Sequence, residues 1–230
     1  MFTPHPSSAL NAMFAERPWQ GADPLATRFL FIGLDANYAA DIESSPIFPA
    51  LLDYHRDGAA FWRRHGVHHP FLLPQYRGDG RRYHRNFARL GFTAEHAKQV
   101  CFIELLHLPT VGRNALRPSD LNASHLATLD QSIRHGSAQL VFASDGVLRL
   151  MQASQRFPWL QLARVGDGVL PLVWSDGERR LYKHLHLSNY GKFEARMRAE
   201  AEAIRALHSA QSGAPPQAPT PAPPCATKAD

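Results

Sequence analysis

Three short runs of apolar residues constrain the fold of this chain more than any other feature. They are Phe-Leu-Phe-Ile at 29–32, Val-Cys-Phe-Ile at 100–103 and Leu-Val-Phe-Ala at 140–143. Runs of this length without alternating polar residues are typical of strands buried on both faces. Amphipathic stretches at 50–64, 82–90, 120–135 and 147–155 separate or follow them. Strands alternating with helices predict an α/β/α sandwich around a central, mostly parallel sheet of about four strands.

The domain organisation follows from where the patterned region begins and ends. The first 25 residues contain several prolines and predict an irregular N-terminal arm with one short helical piece at 9–17. A single α/β domain is expected over 26–208, including a hairpin at Asp176-Gly177 and a closing helix over 193–207. Residues 209–230 are rich in proline and alanine and predict a disordered tail.

Composition excludes several classes of protein. No run approaches the roughly 18 apolar residues of a membrane span, and the two cysteines, Cys101 and Cys225, supply no disulfide framework, so we expect a cytoplasmic protein without a membrane partner. The net charge of +5 permits a polyanionic partner without establishing one. The sequence lacks the binding motifs of dinucleotide enzymes and P-loop NTPases, and the catalytic motifs of α/β-hydrolases and zincin metalloproteases. We expect a protein that uses no cofactor. We also expect it to be a monomer.

Two clusters of polar residues have competing interpretations. His65, His68 and His69 have a spacing that can bind a metal on a helix, but Gly66 and Pro70 interrupt a helix there, so we predict no metal site. The densest basic stretch contains Arg77, Arg81, Arg82 and Arg85, with Tyr76, Tyr83 and His84 among them. It either contacts phosphates, with rings that stack on bases, or forms a solvated helix face.

Asp35 is the first candidate for a functional carboxylate. It follows the first buried run by three residues, after Gly33 and Leu34. This position lies at the carboxyl edge of a parallel sheet, where open α/β folds bind their ligands. The alternative is that Asp35 is only a turn residue or a helix cap.

Three segments together resemble the signature motifs of the uracil-DNA glycosylase superfamily. They are Gly-Leu-Asp-Ala-Asn-Tyr at 33–38, the segment 102–114 that begins Phe-Ile-Glu, and His-Leu-His-Leu-Ser-Asn-Tyr-Gly-Lys at 184–192. The resemblance covers residues 29–193 in order and spacing. It implies a metal-independent hydrolase of DNA repair, which flips a damaged or deaminated base out of DNA and cleaves its N-glycosidic bond.

The resemblance also implies roles for individual residues. Asp35 would activate water and stabilise positive charge on the sugar, and His186 would donate a hydrogen bond to the leaving base. Gly33, Leu34 and Glu104 would bind the base, with Phe48, 13 positions after Asp35, stacking on it. The DNA contacts would come from Ser188 and Asn189 at the backbone, Tyr190 as a wedge in the vacated stack, and Arg81, Arg82 and Arg85.

The departures from the family pattern lie at three positions. Ala36 and Leu187 replace prolines, and Glu104 stands where uracil-excising members have asparagine. An ionised Glu104 only accepts hydrogen bonds, which does not suit the O4 acceptor of uracil. The pocket therefore prefers another base, holds Glu104 protonated, or has lost the chemistry; a Glu104 that faces the surface is a further alternative.

Two other functions compete with a DNA glycosylase-like enzyme. The first is a catalytically silent nucleic-acid or nucleotide-binding protein of the same fold. The second is a protein that docks partners through its Pro-rich tail.

Overall fold

The computed structural model describes residues 2–112, 114–162 and 168–212. Its strands are β1 (Thr3–Pro4), β2 (Trp19–Gly21), β3 (Phe29–Gly33), β4 (Ala36–Asn37), β5 (Val100–Glu104), β6 (Pro109–Val111), β7 (Leu140–Ser144), β8 (Leu172–Ser175) and β9 (Arg180–His184). Its α-helices are α1 (Ser8–Glu16), α2 (Phe48–Arg56), α3 (Gly58–His65), α4 (Arg81–Ala88), α5 (Ala123–Arg134), α6 (Asp145–Ala153) and α7 (Glu194–Ser212). Short 3₁₀ helices cover Ile42–Ser44, Pro70–Leu72, Ala94–His96, Pro118–Asp120 and Gly191–Phe193.

The main sheet has six strands in the order β2-β5-β3-β7-β9-β8. The four inner strands run parallel, and the outer strands β2 and β8 pair antiparallel to their neighbours. The predicted α/β class is confirmed, whereas the predicted number of about four strands is too low. Strand β2 escaped prediction because three residues, Trp-Gln-Gly, carry too little pattern to indicate a strand.

Helices cover both faces of this sheet because successive strand residues point to opposite sides. Phe31 lies in a cluster with Phe87 of α4, and the same cluster includes residues of α3 and α7. Ile32 lies in a second cluster with Leu129 of α5, to which α6 also contributes. Burying such side chains stabilises the fold by roughly 1.5–3 kcal/mol each, so both helical layers are held by the same strands.

The first 25 residues form part of the fold, where the sequence suggested an irregular arm. Strand β1 pairs with β6 in a second sheet, of order β1-β6-β4, and β2 is an edge of the main sheet. Between them, α1 confirms the predicted helical piece and buries Leu10 and Phe14. These two side chains belong to a third apolar cluster, which explains why the segment packs against the domain.

The predicted helix over 50–64 is two helices, α2 and α3, that meet at Asp57. The backbone of Asp57 leaves the helical region, with φ −148° and ψ 85°, and its carboxylate accepts a hydrogen bond from the amide of Ala60. Asp57 is therefore an N-cap that starts a new helix. The other expected helices correspond to α4, α5, α6 and α7, and the hairpin at Asp176-Gly177 joins β8 to β9.

The C-terminal part departs from prediction at one boundary. Helix α7 continues to Ser212, so residues 209–212 extend the domain rather than begin the tail. The rest of the predicted tail, 213–230, lies outside the described residues. Within the described ranges, no helix is both long enough and apolar enough to cross a membrane.

Candidate functional site

A cavity of about 220 Å³ opens at the carboxyl edge of the parallel strands. Strands β3 and β5 end there at Gly33 and Glu104, which are neighbours in the sheet register. The residues that line the cavity are Gln20, Gly33, Leu34, Asp35, Ala36, Asn37, Tyr38, His69, Phe71, Gly80, Tyr83, His84, Phe102, Glu104, His186 and Ser188. The ends of several strands and the segments after them thus converge on one concave site.

Asp35 is fixed through one of its two carboxylate oxygens. Its Oδ2 accepts hydrogen bonds from the Thr110 hydroxyl and from Asn114 Nδ2 at 2.7 Å. Thr110 Oγ1 in turn accepts from Asn37 Nδ2 at 3.1 Å, which directs the hydroxyl proton towards Asp35. No donor among the described residues bonds Oδ1. Within the described part of the chain, the second oxygen of this oriented carboxylate is therefore open to a ligand or a water molecule.

Glu104 lies in the cavity, against the backbone of Gly33. A Cβ atom at position 33 would overlap the Glu104 carboxyl group, so the close approach requires glycine. Burial raises the pKa of Glu104 to about 8, and the nearby negative charge of Asp35 acts in the same direction. Glu104 therefore faces the cavity rather than the surface and is mostly protonated at pH 7.

His186 lies at the mouth of the cavity, two residues after β9. Its Nδ1 accepts a hydrogen bond from the backbone amide of Ser188 at 3.2 Å. The ring has an exposed part, yet the surrounding protein removes enough water to lower its pKa, and the opposing effect of Asp35 is smaller. A neutral ring whose Nδ1 accepts must carry its proton on Nε2, so His186 is a hydrogen-bond donor at Nε2.

Residues that hold the His186 segment come from two helices. Asn86 of α4 donates through Nδ2 to the carbonyl of Leu187 at 2.6 Å and to that of Asn189 at 3.3 Å. Glu200 of α7 accepts from the amide of Leu185 at 2.8 Å. These bonds fix the backbone on both sides of His186.

Two histidines, His69 and His84, line the cavity, and a third, His68, contacts His84 from behind. The rings of His69 and His84 are parallel with centroids 3.6 Å apart, and His68 Nε2 lies 3.1 Å from His84 Nδ1. Burial lowers the pKa of all three, that of His84 to about 3, so they are neutral at pH 7. No group of three or more His, Cys, Asp or Glu in the described ranges is placed to hold a metal ion.

The aromatic wall differs from the one predicted. Phe48 begins α2 and packs against the third apolar cluster, outside the cavity lining. The phenylalanine and tyrosine rings that line the cavity are those of Phe71, Phe102, Tyr38 and Tyr83. Phe71 is itself stacked on Tyr76, with ring centroids 4.3 Å apart. The Tyr76 ring therefore holds the orientation of the Phe71 ring in the cavity wall.

The arginines of the basic stretch on α4 differ in their exposure to solvent. Arg81 is partly buried and donates to the carbonyl of Tyr76 at 2.8 Å. Arg82 and Arg85 are exposed, three positions apart on α4, and the Arg82 guanidinium lies 4.0 Å from the ring centroid of Tyr190. Tyr190 is 65% exposed. The Arg82 cation and the Tyr190 ring therefore lie together beside the segment that carries His186 and Ser188, and Arg85 follows Arg82 by about one turn of α4.

The structure brings half of the twelve residues predicted for the site into one cavity. The cavity lining includes six of them, namely Gly33, Leu34, Asp35, Glu104, His186 and Ser188. The sequence analysis assigned no site role to Gln20, Tyr38, His69 and Phe71. Tyr38 ends the first motif and His69 belongs to the weak metal motif, whereas Gln20 and Phe71 gave no signal. No protein-family model matches this chain, and a search of curated proteins finds no significant match.

Proposed function

We propose that this protein is a divergent member of the uracil-DNA glycosylase superfamily that hydrolyses the N-glycosidic bond of a base flipped out of DNA. One observation carries the proposal. Asp35 and His186, which are far apart in sequence, line a single cavity at the carboxyl edge of the sheet together with Glu104. The cavity, at about 220 Å³, is smaller than the roughly 300–1,000 Å³ of drug-sized ligand sites. A single planar base suits that size better than a whole nucleotide.

The arrangement of Asp35 suits attack by water at the sugar. Its Oδ2 is fixed by Thr110 and Asn114, and Oδ1 can accept a hydrogen bond from the attacking water. The same carboxylate stabilises the positive charge that develops on the sugar as the bond to the base breaks. Because the side chain is already oriented, little reorganisation is needed when the charge appears.

His186 supports the opposite end of the breaking bond. A neutral imidazole with its proton on Nε2 donates a hydrogen bond to the electron-rich leaving base. Asn86 and Glu200 hold the backbone around it, so this donor is fixed as well.

The DNA contacts are proposed for the rim beside His186. Ser188 would bond a backbone phosphate, and Tyr190 would fill the space left by the flipped base. Arg82 and Arg85 would neutralise phosphates, since both are exposed on the same side of α4.

The test is excision from a panel of oligonucleotides, single- and double-stranded, that carry uracil, hypoxanthine, xanthine and alkylated or oxidised bases. We expect abasic sites from at least one base, and a loss of about 10²–10³-fold in rate for Asp35→Asn with DNA binding retained. The matched control is Asp53→Asn, which changes an exposed carboxylate of α2 that pairs with Arg56. Binding without excision of any base would instead support the catalytically silent binder.

A further inference from the structure

The Glu104 carboxyl group lies in the cavity without a donor to hold it in its ionised form among the described residues. It lies over the Gly33 backbone, lines the same cavity as Asp35, and receives no hydrogen bond from the described residues. A carboxyl group that no donor stabilises, held in a desolvated cavity beside another carboxylate, favours its neutral form. Burial and the Asp35 charge accordingly raise its pKa to about 8.

The other titratable groups around the cavity do not oppose this state. The titratable groups that line the cavity with Glu104 are Asp35, Tyr38, His69, Tyr83, His84 and His186. Burial raises the pKa of both tyrosines and lowers that of the three histidines, so all five are neutral near pH 7. Among the described lining residues none is Lys or Arg. Among the described residues that line the cavity, the charged one is therefore Asp35, and it favours the protonated form of Glu104.

Building on the proposed glycosylase activity, we propose that Glu104 is the general acid that protonates the leaving base, and that the site takes purines. The proton of the Glu104 hydroxyl passes to a ring nitrogen of the base, and the C1′–N bond breaks with both electrons going to the base. Water attacks C1′ and gives its proton to Asp35. The products are a neutral base and an abasic sugar, and the Asp35 proton returns to Glu104 through solvent.

The substrate class follows from the position of the proton. A purine bonded to the sugar through N9 has free ring nitrogens, N3 and N7, that accept a proton before departure. Uracil lacks such a basic ring nitrogen and leaves as an anion, which a hydrogen-bond donor such as His186 stabilises but which makes no use of an acid. An acid and an oriented carboxylate in one cavity therefore match purine release.

The experiment compares two purines in single-turnover excision by the full chain. Hypoxanthine needs a proton to leave as a neutral base, whereas 7-methylguanine is already cationic and leaves neutral without one. We expect Glu104→Gln to slow hypoxanthine release by about 10²–10⁴-fold and to change 7-methylguanine release by less than about fivefold. Asp35→Asn should slow both, and Glu202→Gln, an exposed glutamate of α7, should slow neither.

The pH profile supplies the second readout. The acid acts in its protonated form, so the rate for hypoxanthine should fall about tenfold per pH unit above pH 8, and the rate for 7-methylguanine should not. Equal losses on both bases in Glu104→Gln would show that Glu104 only positions the base, and would overturn the inference while leaving the glycosylase proposal intact. Release of pyrimidines but of no purine would also overturn the inference and leave the glycosylase proposal intact. No excision of any base by the wild-type protein would overturn both.

A measurement independent of activity tests the protonation itself. Carbon-13 NMR of glutamate carboxyl groups, with the Glu104 signal assigned from its loss in Glu104→Gln, should give a midpoint near pH 8. Asp35→Asn should move that midpoint to lower pH, because it removes the charge that favours the proton. A midpoint in the usual range of glutamate would overturn the inference, since no proton would be held at pH 7.

Discussion

At the scale of single residues, Asp35 carries the negative charge among the described residues of the site. The histidines and tyrosines of the wall are neutral, and the Glu104 carboxyl is mostly protonated at pH 7. A lone charge among neutral, partly desolvated groups interacts more strongly with a cation than it would in water. A cationic sugar intermediate requires this arrangement. The position of the Glu104 carboxyl beside Asp35 depends in turn on its close approach to Gly33.

Gly33→Ala tests that approach. The new Cβ would overlap the Glu104 carboxyl and force it to move, at a cost of roughly 1–3 kcal/mol in the free energy of unfolding. In a Glu104→Ala background the same substitution should cost much less, because the group in conflict is absent. Urea unfolding of the two single variants and the double variant measures this coupling.

The control for this cycle is Gly146→Ala. Gly146 lies in α6 with no atom near the position of an added Cβ, so alanine should stabilise the helix by up to about 1 kcal/mol. Additive effects of Gly33→Ala and Glu104→Ala would contradict the contact described for the two residues.

At the scale of elements, the segment after β9 depends on α4 and α7 for its position. It has only a few residues between β9 and the 3₁₀ helix Gly191–Phe193, and its carbonyls at Leu187 and Asn189 are bonded by Asn86. A buried amide that serves two carbonyls is hard to replace, because both acceptors lose their donor at once.

Asn86→Ala should therefore loosen the His186 segment. We expect a loss of about 1–3 kcal/mol in the free energy of unfolding and faster amide hydrogen exchange over residues 185–190. Asn11→Ala is the matched control, since Asn11 donates a similar bond to the carbonyl of His5 at 2.8 Å, in the N-terminal part of the chain. Unchanged exchange over 185–190 in Asn86→Ala would show that α4 does not position the segment.

The central strands and the amphipathic helices were predictable from their patterns of apolar residues, whereas the short segments that complete the site were not. The apolar runs gave β3, β5 and β7, and the polar residues after them indicated which edge carries Asp35. Phe71 and His69 belong to a short segment around a 3₁₀ helix, whose place against the sheet depends on tertiary packing rather than on local pattern. The interval of 13 residues suggested Phe48, but an interval does not fix the direction of a ring at the start of a helix.

At the scale of the whole molecule, the two edges of the sheet differ in what they offer a polyanion. The cavity edge has Arg82 over the ring of Tyr190, in the segment that follows His186, and Arg85 lies about one turn further along α4. The opposite edge has Arg180 at the start of β9 and Arg134 at the end of α5. If DNA binds at the cavity edge, only the first pair contributes to counterion release, although both pairs add equally to the net charge.

The salt dependence of DNA binding separates these two pairs. Replacing Arg82 and Arg85 by glutamine should reduce the slope of log K against log salt concentration by about 2, since each phosphate contact contributes about 0.9. Replacing Arg134 and Arg180 removes the same charge and should leave the slope unchanged. Titrations of one oligonucleotide at several salt concentrations measure both. Equal reductions in the two double variants would mean that DNA responds to the total charge of the molecule, and that the cavity edge is not its binding face.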